Sequence, residues 1–169
     1  MPTVVQGVVL VGHGGVPKDC PPEVISKLKR LEAQRRAAGT PPSAEEQHLD
    51  ATIRRWPRTA ANDPYQAGLE AVGAALRPML DGTLFALAYN EFCSPTVEES
   101  VEDLIRQGAT HITIATTMFT PGGAHSEIEI PETLARLRPK HPGVELHYAW
   151  PFDVHLIAET LRQQVRRFS

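Results

Sequence analysis

Two cysteines in 169 residues, Cys20 and Cys93, are too few for a disulfide framework, and neither belongs to a Cys-x-x-Cys pair or a zinc-like spacing. A reduced cytoplasm suits them. No apolar stretch is long enough to span a bilayer, and the start, Met1-Pro2-Thr3-Val4-Val5-Gln6-Gly7, lacks a basic leader region and a long apolar run. The expectation is a soluble, unexported, cytoplasmic protein with no membrane partner. Charge of one sign is scarce as well: a formal −3 gives no reason to expect nucleic acid or an anionic lipid surface. There is no GxGxxG, no Walker Lys-Ser/Thr, no internal repeat and no low-complexity tract. What remains, 41% hydrophobic and 22% charged residues, fits one globular domain over residues 1–169.

Four strand-like runs punctuate the chain. Residues 4–11 are β-branched and end in Gly12-His13-Gly14-Gly15, a buried strand running into a tight turn. Residues 83–89, 111–119 and 144–150 supply the second, third and fourth. Helical patterns separate them. Val97, Val101, Leu104 and Ile105 form one buried stripe, Leu69, Val72, Gly73 and Leu76 lie on another helix, and a helix from about residue 128 to 138 accepts Pro131 only in its first turn. A last helix is expected to bury Ile157, Leu161, Val165 and Phe168. Connections this long exclude hairpins. The fold class is therefore α/β: a single three-layer domain with a mostly parallel four-stranded sheet flanked by helices. Residues 16–62 read as an inserted helical hairpin, with Val24, Leu28 and Leu31 on the first helix and Leu49, Ile53 and Trp56 on the second.

On this layout His13, Glu91 and His125 each fall just past the carboxyl end of a different core strand, the edge where open parallel sheets bind ligands. Imidazole and carboxylate together suit a first-row divalent metal such as cobalt, iron or nickel, and the absence of cysteine leaves exchangeable positions. His125 alone also reads as an ordinary loop histidine. Glu129, four residues on, shares its face if the helix starts near His125, and would orient the ring or relay protons; the alternative is a carboxylate complementing the helix N-terminus. The run Arg54-Arg55-Trp56-Pro57-Arg58 also has two readings. It is either a solvated helix end with a core Trp, or a lid whose arginines pair with substrate carboxylates while the indole covers a flat ring. Gly14, beside His13, and Gly122-Gly123, ahead of His125, let the backbone bend and leave room for something bulky to approach. His111 and His147 are most simply structural, and Cys93 is read as packing.

Val8-Val9-Leu10-Val11-Gly12-His13-Gly14, Glu91 with Ser94-Pro95-Thr96, Pro121-Gly122-Gly123-Ala124-His125 with Glu129-Ile130-Pro131, His141-Pro142-Gly143 and Pro151-Phe152, in that order, resemble the CbiX-type sirohydrochlorin chelatases. These are class II tetrapyrrole chelatases, related to ferrochelatase. The resemblance implies ATP-independent insertion of cobalt, iron or nickel into sirohydrochlorin or a related porphyrinoid. His13 and His125 would carry over as the metal-binding and catalytic histidines and Glu91 as the active-site glutamate, with the metal as substrate and no permanently bound cofactor. It also implies a homodimer, because this chain holds one domain. A non-catalytic metal- or tetrapyrrole-binding carrier using the same cleft is the alternative. Gly15 stands where the family usually has serine, Glu129 where it has aspartate, and the insert at 16–62 is absent from the small members.

Overall fold

The computed structural model describes residues 3–169; Met1 and Pro2, part of the start considered above, lie outside them. β1 (Gln6–Gly12) is the central strand, because Val9, Leu10 and Val11 are apolar on both sides of the pleat and are buried on both faces. It pairs in parallel with β2 (Leu84–Tyr89) and with β3 (His111–Thr116), and β3 pairs in parallel with β4 (Glu145–Tyr148). The order is β2-β1-β3-β4. Register sets Gly12 opposite Tyr89 and Val11 opposite Thr116, so the three central strands finish on one rim. The expected strands are each a little long: β3 stops at Thr116, not residue 119, and β4 at Tyr148.

One face of the sheet is covered by α4 (Val97–Arg106) and α5 (Ile130–Leu137), whose Val101, Leu104, Leu134 and Leu137 close over Val9, Val11, Ile112 and Ile114. α4 is started by a capping box in which Thr96 and Glu99 bond reciprocally, one residue beyond the Ser94-Pro95 pair. On the opposite face α3 (Pro64–Leu76), capped by Asp63, seats Leu69 and Leu76 on Leu10, Phe85, Leu87 and Tyr89. α1 (Pro22–Ala38) and α2 (Ala44–Arg54) follow β1 and form their own small core of Cys20, Leu28 and Ile53 with Val24, Leu49 and Trp56. Ser43 caps α2 by accepting from the Glu46 amide.

The last helix departs from expectation. α6 (Val154–Arg166) buries none of its residues: Leu161 is 54% exposed, Val165 67%, and Phe168 just beyond it 83%. The core on the α4 and α5 side is already closed without it. On the other side the alternate residues of β3 are only half-buried and His147 of β4 is exposed, so half of the second sheet face lacks a cover. No helix among the described residues is long and apolar enough to cross a membrane.

Burial sets the cost of damage position by position. Ile112→Ala, at a fully buried site, should lower unfolding free energy by about 2–5 kcal/mol, whereas Val72→Ala, half exposed on α3, should change it by under about 0.5 kcal/mol. Urea titration followed by circular dichroism checks both.

Candidate metal centre

The rim is assembled by backbone hydrogen bonds that continue past the strand ends. The Asn90 amide donates to the Gly12 carbonyl at 2.9 Å and the Glu91 amide to the His13 carbonyl at 2.8 Å, so the segments after β1 and β2 run side by side. Gly14, at φ +97, permits this: a Cβ there would lie 1.8 Å from the Glu91 carbonyl oxygen. The space beside Gly14 is thus taken by the chain's own backbone. The expectation that it leaves room for a bulky ligand is corrected. Gly122 and Gly123, in contrast, face open space, and Gly123 borders the hollow that contains His13 and His125. Tyr65, at the start of α3, holds His13 from behind, its hydroxyl accepting from the His13 amide at 2.6 Å.

His125 arrives from the third strand end. The chain leaves β3, passes Pro121-Gly122-Gly123, and enters a π-helical turn, His125–Glu129, which leads directly into α5. The helix therefore starts earlier than residue 128. Pro131 lies in the first turn of α5, where its missing amide leaves the preceding ladder one donor short, and the Ile130 amide reaches back five residues to the His125 carbonyl. In this wider turn residues four apart are nearly in line. Glu129 consequently sits under His125, its Oε2 2.8 Å from Nδ1. Asn90 Nδ2 donates to the same carboxylate oxygen at 2.6 Å and also lies 2.8 Å from Nδ1.

These contacts bring His13, Glu91 and His125 together, with one ligand atom from each within 4.8 Å of the others. His13 Nδ1 is 2.8 Å from the Gly14 carbonyl and His125 Nδ1 is 2.8 Å from Glu129. Both partners only accept. A proton on each Nδ1 satisfies both acceptors, with the Asn90 amide donating to Glu129 alone, and in that tautomer of the neutral rings each Nε2 is left with a lone pair. The two Nε2 atoms face each other at 3.2 Å, with the rings edge-on at 81° and centroids 4.7 Å apart. Two lone pairs at that distance repel unless a cation or proton lies between them. Nitrogen ligands about 2.05 Å from a divalent metal and 3.2 Å apart subtend about 100° at the ion, an ordinary angle for two neighbouring ligands. Glu91 Oε1 is 3.9 Å from His125 Nε2, on the same side.

Electrostatics around the pair are set by carboxylates. Burial pushes the Glu129 carboxyl up, but bonds from His125 and Asn90, aided by the charges of His125 and Arg36, outweigh it and hold it below the usual range. Glu32 of α1 moves the other way, raised first by burial and then by the nearby Glu91 charge. Three adjoining hollows of about 440, 430 and 320 Å³ surround the cluster, walled by α1, the segment after β2 and the loop before His125. A larger hollow, about 790 Å³, lies elsewhere, between α3 and α4 over β2. It contains neither histidine nor cysteine, so the smaller hollows on the rim are the ones with the means for metal chemistry.

The arginines of the 54–58 run are placed differently from the lid reading. Arg58 is nearly buried, paired with Asp63, and donates to the carbonyls of Gly15, Ile53 and Phe92. Arg54 bonds Asp50 and the carbonyls of Cys93 and Asn90. Their guanidinium groups brace the rim from beneath, because the loops they join have backbone carbonyls with no strand partner. Arg55 is exposed and borders none of the three hollows, and Trp56 is half-buried with its indole N–H donating to Asp19 at 3.1 Å. Sequence reasoning missed Asn90 and Tyr65 in the site. Asn90 was legible as the neighbour of Glu91 at a strand end; nothing in the sequence near Tyr65 marks its reach to His13.

Two imidazoles and a carboxylate converging at the carboxyl rim of a parallel α/β domain form a donor set that could hold an exchangeable metal at a sheet edge. The CbiX family matches residues 59–168, and the chain belongs to that family. The matched part includes Glu91, His125 and Glu129 and begins after the α1 and α2 hairpin. A sirohydrochlorin ferrochelatase of Priestia megaterium is 36% identical over 75 residues, 44% of this chain and 28% of the relative. One of Bacillus subtilis (strain 168) is 31% identical over 68 residues, 40% of this chain and 26% of the relative. The match thus spans about a quarter of those relatives. The fold is shared with the sirohydrochlorin chelatase SirB from Bacillus subtilis subspecies spizizenii, in complex with cobalt, at TM-score 0.53 and 19% identity, over 86% of this chain and 42% of that one. It is also shared with a cobalamin (vitamin B12) biosynthesis CbiX protein from Marinobacter aquaeolei VT8, at TM-score 0.50 and 16% identity, over 96% of this chain and 98% of that one.

The carboxylate under His125 should matter to metal binding without touching the ion. Glu129→Gln is expected to weaken cobalt binding about 10–100-fold by isothermal titration. The sign of its pH dependence follows from its lowered value: the stability Glu129 contributes is full above the ordinary carboxylate range and is lost as pH falls through the lower folded value.

Proposed function

We propose that this chain is an ATP-independent class II chelatase that inserts cobalt, iron or nickel into sirohydrochlorin or a related metal-free tetrapyrrole, as in siroheme or cobalamin formation. The observation that carries the reading is the pair of Nε2 lone pairs facing each other at 3.2 Å beside Glu91, each fixed by an acceptor behind its ring. The metal is a substrate, and no resident cofactor is needed. Two buried free thiols suit the reducing cytoplasm, where we place the reaction.

In this reaction a divalent ion enters the ring as two pyrrole N–H protons leave, so charge balances. His13 and His125 would hold the incoming ion as its waters are shed, and neutral imidazoles release it to the macrocycle more readily than thiolates would. Glu91 and one imidazole accept the departing protons. Glu129, hydrogen-bonded behind His125, supplies the negative charge that stabilises the ring once it is protonated. The hollow next to Gly123, with Met118 and Phe119 on its wall, gives the flat ring an apolar side against which to lie.

A second copy of the chain belongs to the same reading. Val154, Ile157, Leu161 and Val165 recur at helical spacing along α6 and stay largely uncovered, and half of one sheet face is open. SirB matches over only 42% of its length, which leaves it room for a further domain of this size. A homodimer would supply that second domain from another chain.

Mixing the purified protein with sirohydrochlorin and cobalt, ferrous iron or nickel, and following the ring's absorption, tests the activity. His125→Ala should abolish metallation with the circular dichroism spectrum unchanged; wild-type turnover in that variant sinks the assignment. Glu91→Gln should slow metallation about 10²–10⁴-fold. Activity insensitive to that change would favour a carrier over an enzyme. Leu161→Glu should convert a dimer to a monomer in sedimentation velocity, and an unchanged profile would remove α6 from the interface.

A further inference from the structure

The hairpin after β1 contributes a wall to the rim, and the face it turns there is not apolar. Lys29, Glu32, Ala33 and Arg36 of α1 border the same hollow as His13 and Glu91. Their spacing, i, i+3, i+4 and i+7, is one helix face, while Leu28, Val24 and Ile25 on the other side pack toward α2. Lys29 and Arg36 therefore stand two turns apart, about 10 Å along the axis.

Several cations of the hairpin are already engaged. Arg35 pairs with Glu46 at 2.7 Å, Lys27 with Glu45 and Arg54 with Asp50. Among the described residues no carboxylate lies within 4.0 Å of Lys29 or Arg36. Lys29 instead lies over the Phe92 ring, its Nζ 5.9 Å from the centroid, which holds it against the segment that carries Glu91. Arg36 borders two of the three hollows, and its charge helps to hold the Glu129 carboxyl down and partly offsets the rise of Glu32. Two exposed, uncommitted cations thus overlook the metal ligands, whereas Arg58, expected to serve a substrate, is buried with Asp63.

We propose that Lys29 and Arg36 are the substrate-selecting residues of this chain, pairing with two carboxylates on the periphery of a polycarboxylate tetrapyrrole and so fixing its centre over His13 and His125. The inference rests on the chelatase reading and adds to it the recognition of the macrocycle by the hairpin. Glu32, between the two cations, sits where an unesterified ring edge lacking a matching cation would be repelled, so a ring that fits must present its carboxylates to both ends of the face. Arg36, with its planar fork, suits a bidentate bond, and Lys29 a point contact.

The test compares initial rates of cobalt insertion into sirohydrochlorin and into its methyl ester by the wild-type protein, by Lys29→Met with Arg36→Met, and by Lys29→Arg. The double variant should raise KM for sirohydrochlorin about 10–100-fold with kcat within about twofold, leave KM for cobalt unchanged, and flatten the salt dependence of kcat/KM. Lys29→Arg, which keeps the charge, should retain most of the affinity that the double variant loses. On the ester, wild type and double variant should be equal. An unchanged KM for sirohydrochlorin, or a loss confined to kcat or to cobalt, overturns the role of the two cations while leaving the chelatase reading intact. A wild-type protein that metallates neither ring removes that reading and this one with it.

Discussion

Everything at the rim depends on two imidazoles being made to present lone pairs to each other. Left free, His13 and His125 would turn apart or share a proton. They are held instead by acceptors behind them, a backbone carbonyl for one and a carboxylate for the other. Each acceptor is in turn fixed by the fold. Gly14 is held by the close approach of the two strand-end segments, and Glu129 by the π-helical turn that feeds α5. The arrangement stores an electrostatic demand that a cation satisfies, which is the physical content of a binding site before anything is bound.

The supports for that demand are distributed through the chain. Tyr65 from α3 holds the His13 amide, and Arg54 and Arg58 from the hairpin tie down carbonyls of the loop that carries Glu91. A buried pair such as Arg58 with Asp63 is costly to desolvate, and is sustained here because almost every remaining donor finds a carbonyl. Rigid strand ends give position, and the charged bracing beneath them keeps it. Cys93, fully buried beside this loop, has its thiol pushed up to about 11, chiefly by burial, and is packing material there.

Much of the architecture was legible in the sequence because β-branched runs and helical stripes follow from burial alone. The four parallel strands, the stripe of Val97, Val101 and Leu104, and the flanking helices are of this kind. The convergence of His13, Glu91 and His125 followed from one topological rule, that strands in a parallel sheet end on the same edge. Two kinds of inference failed. Leu161, Val165 and Phe168 have the periodicity of a buried face, yet periodicity says only that a face is apolar, not that this chain covers it. Arg54 and Arg58 look free in the sequence because their partners, Asp50 and Asp63 apart, are backbone carbonyls, which no residue letter records. Tyr65 was hidden for a related reason, since its role comes from a helix docked across the sheet.

The hairpin has its own small core, centred on Leu28 and Ile53, separate from the hydrophobic layers that close over the sheet. The two parts of the protein can therefore change at different rates. Substitutions along the outward face of α1 can change the charge turned toward the rim without disturbing the packing that aims the imidazoles, so the entrance and the centre answer to separate constraints.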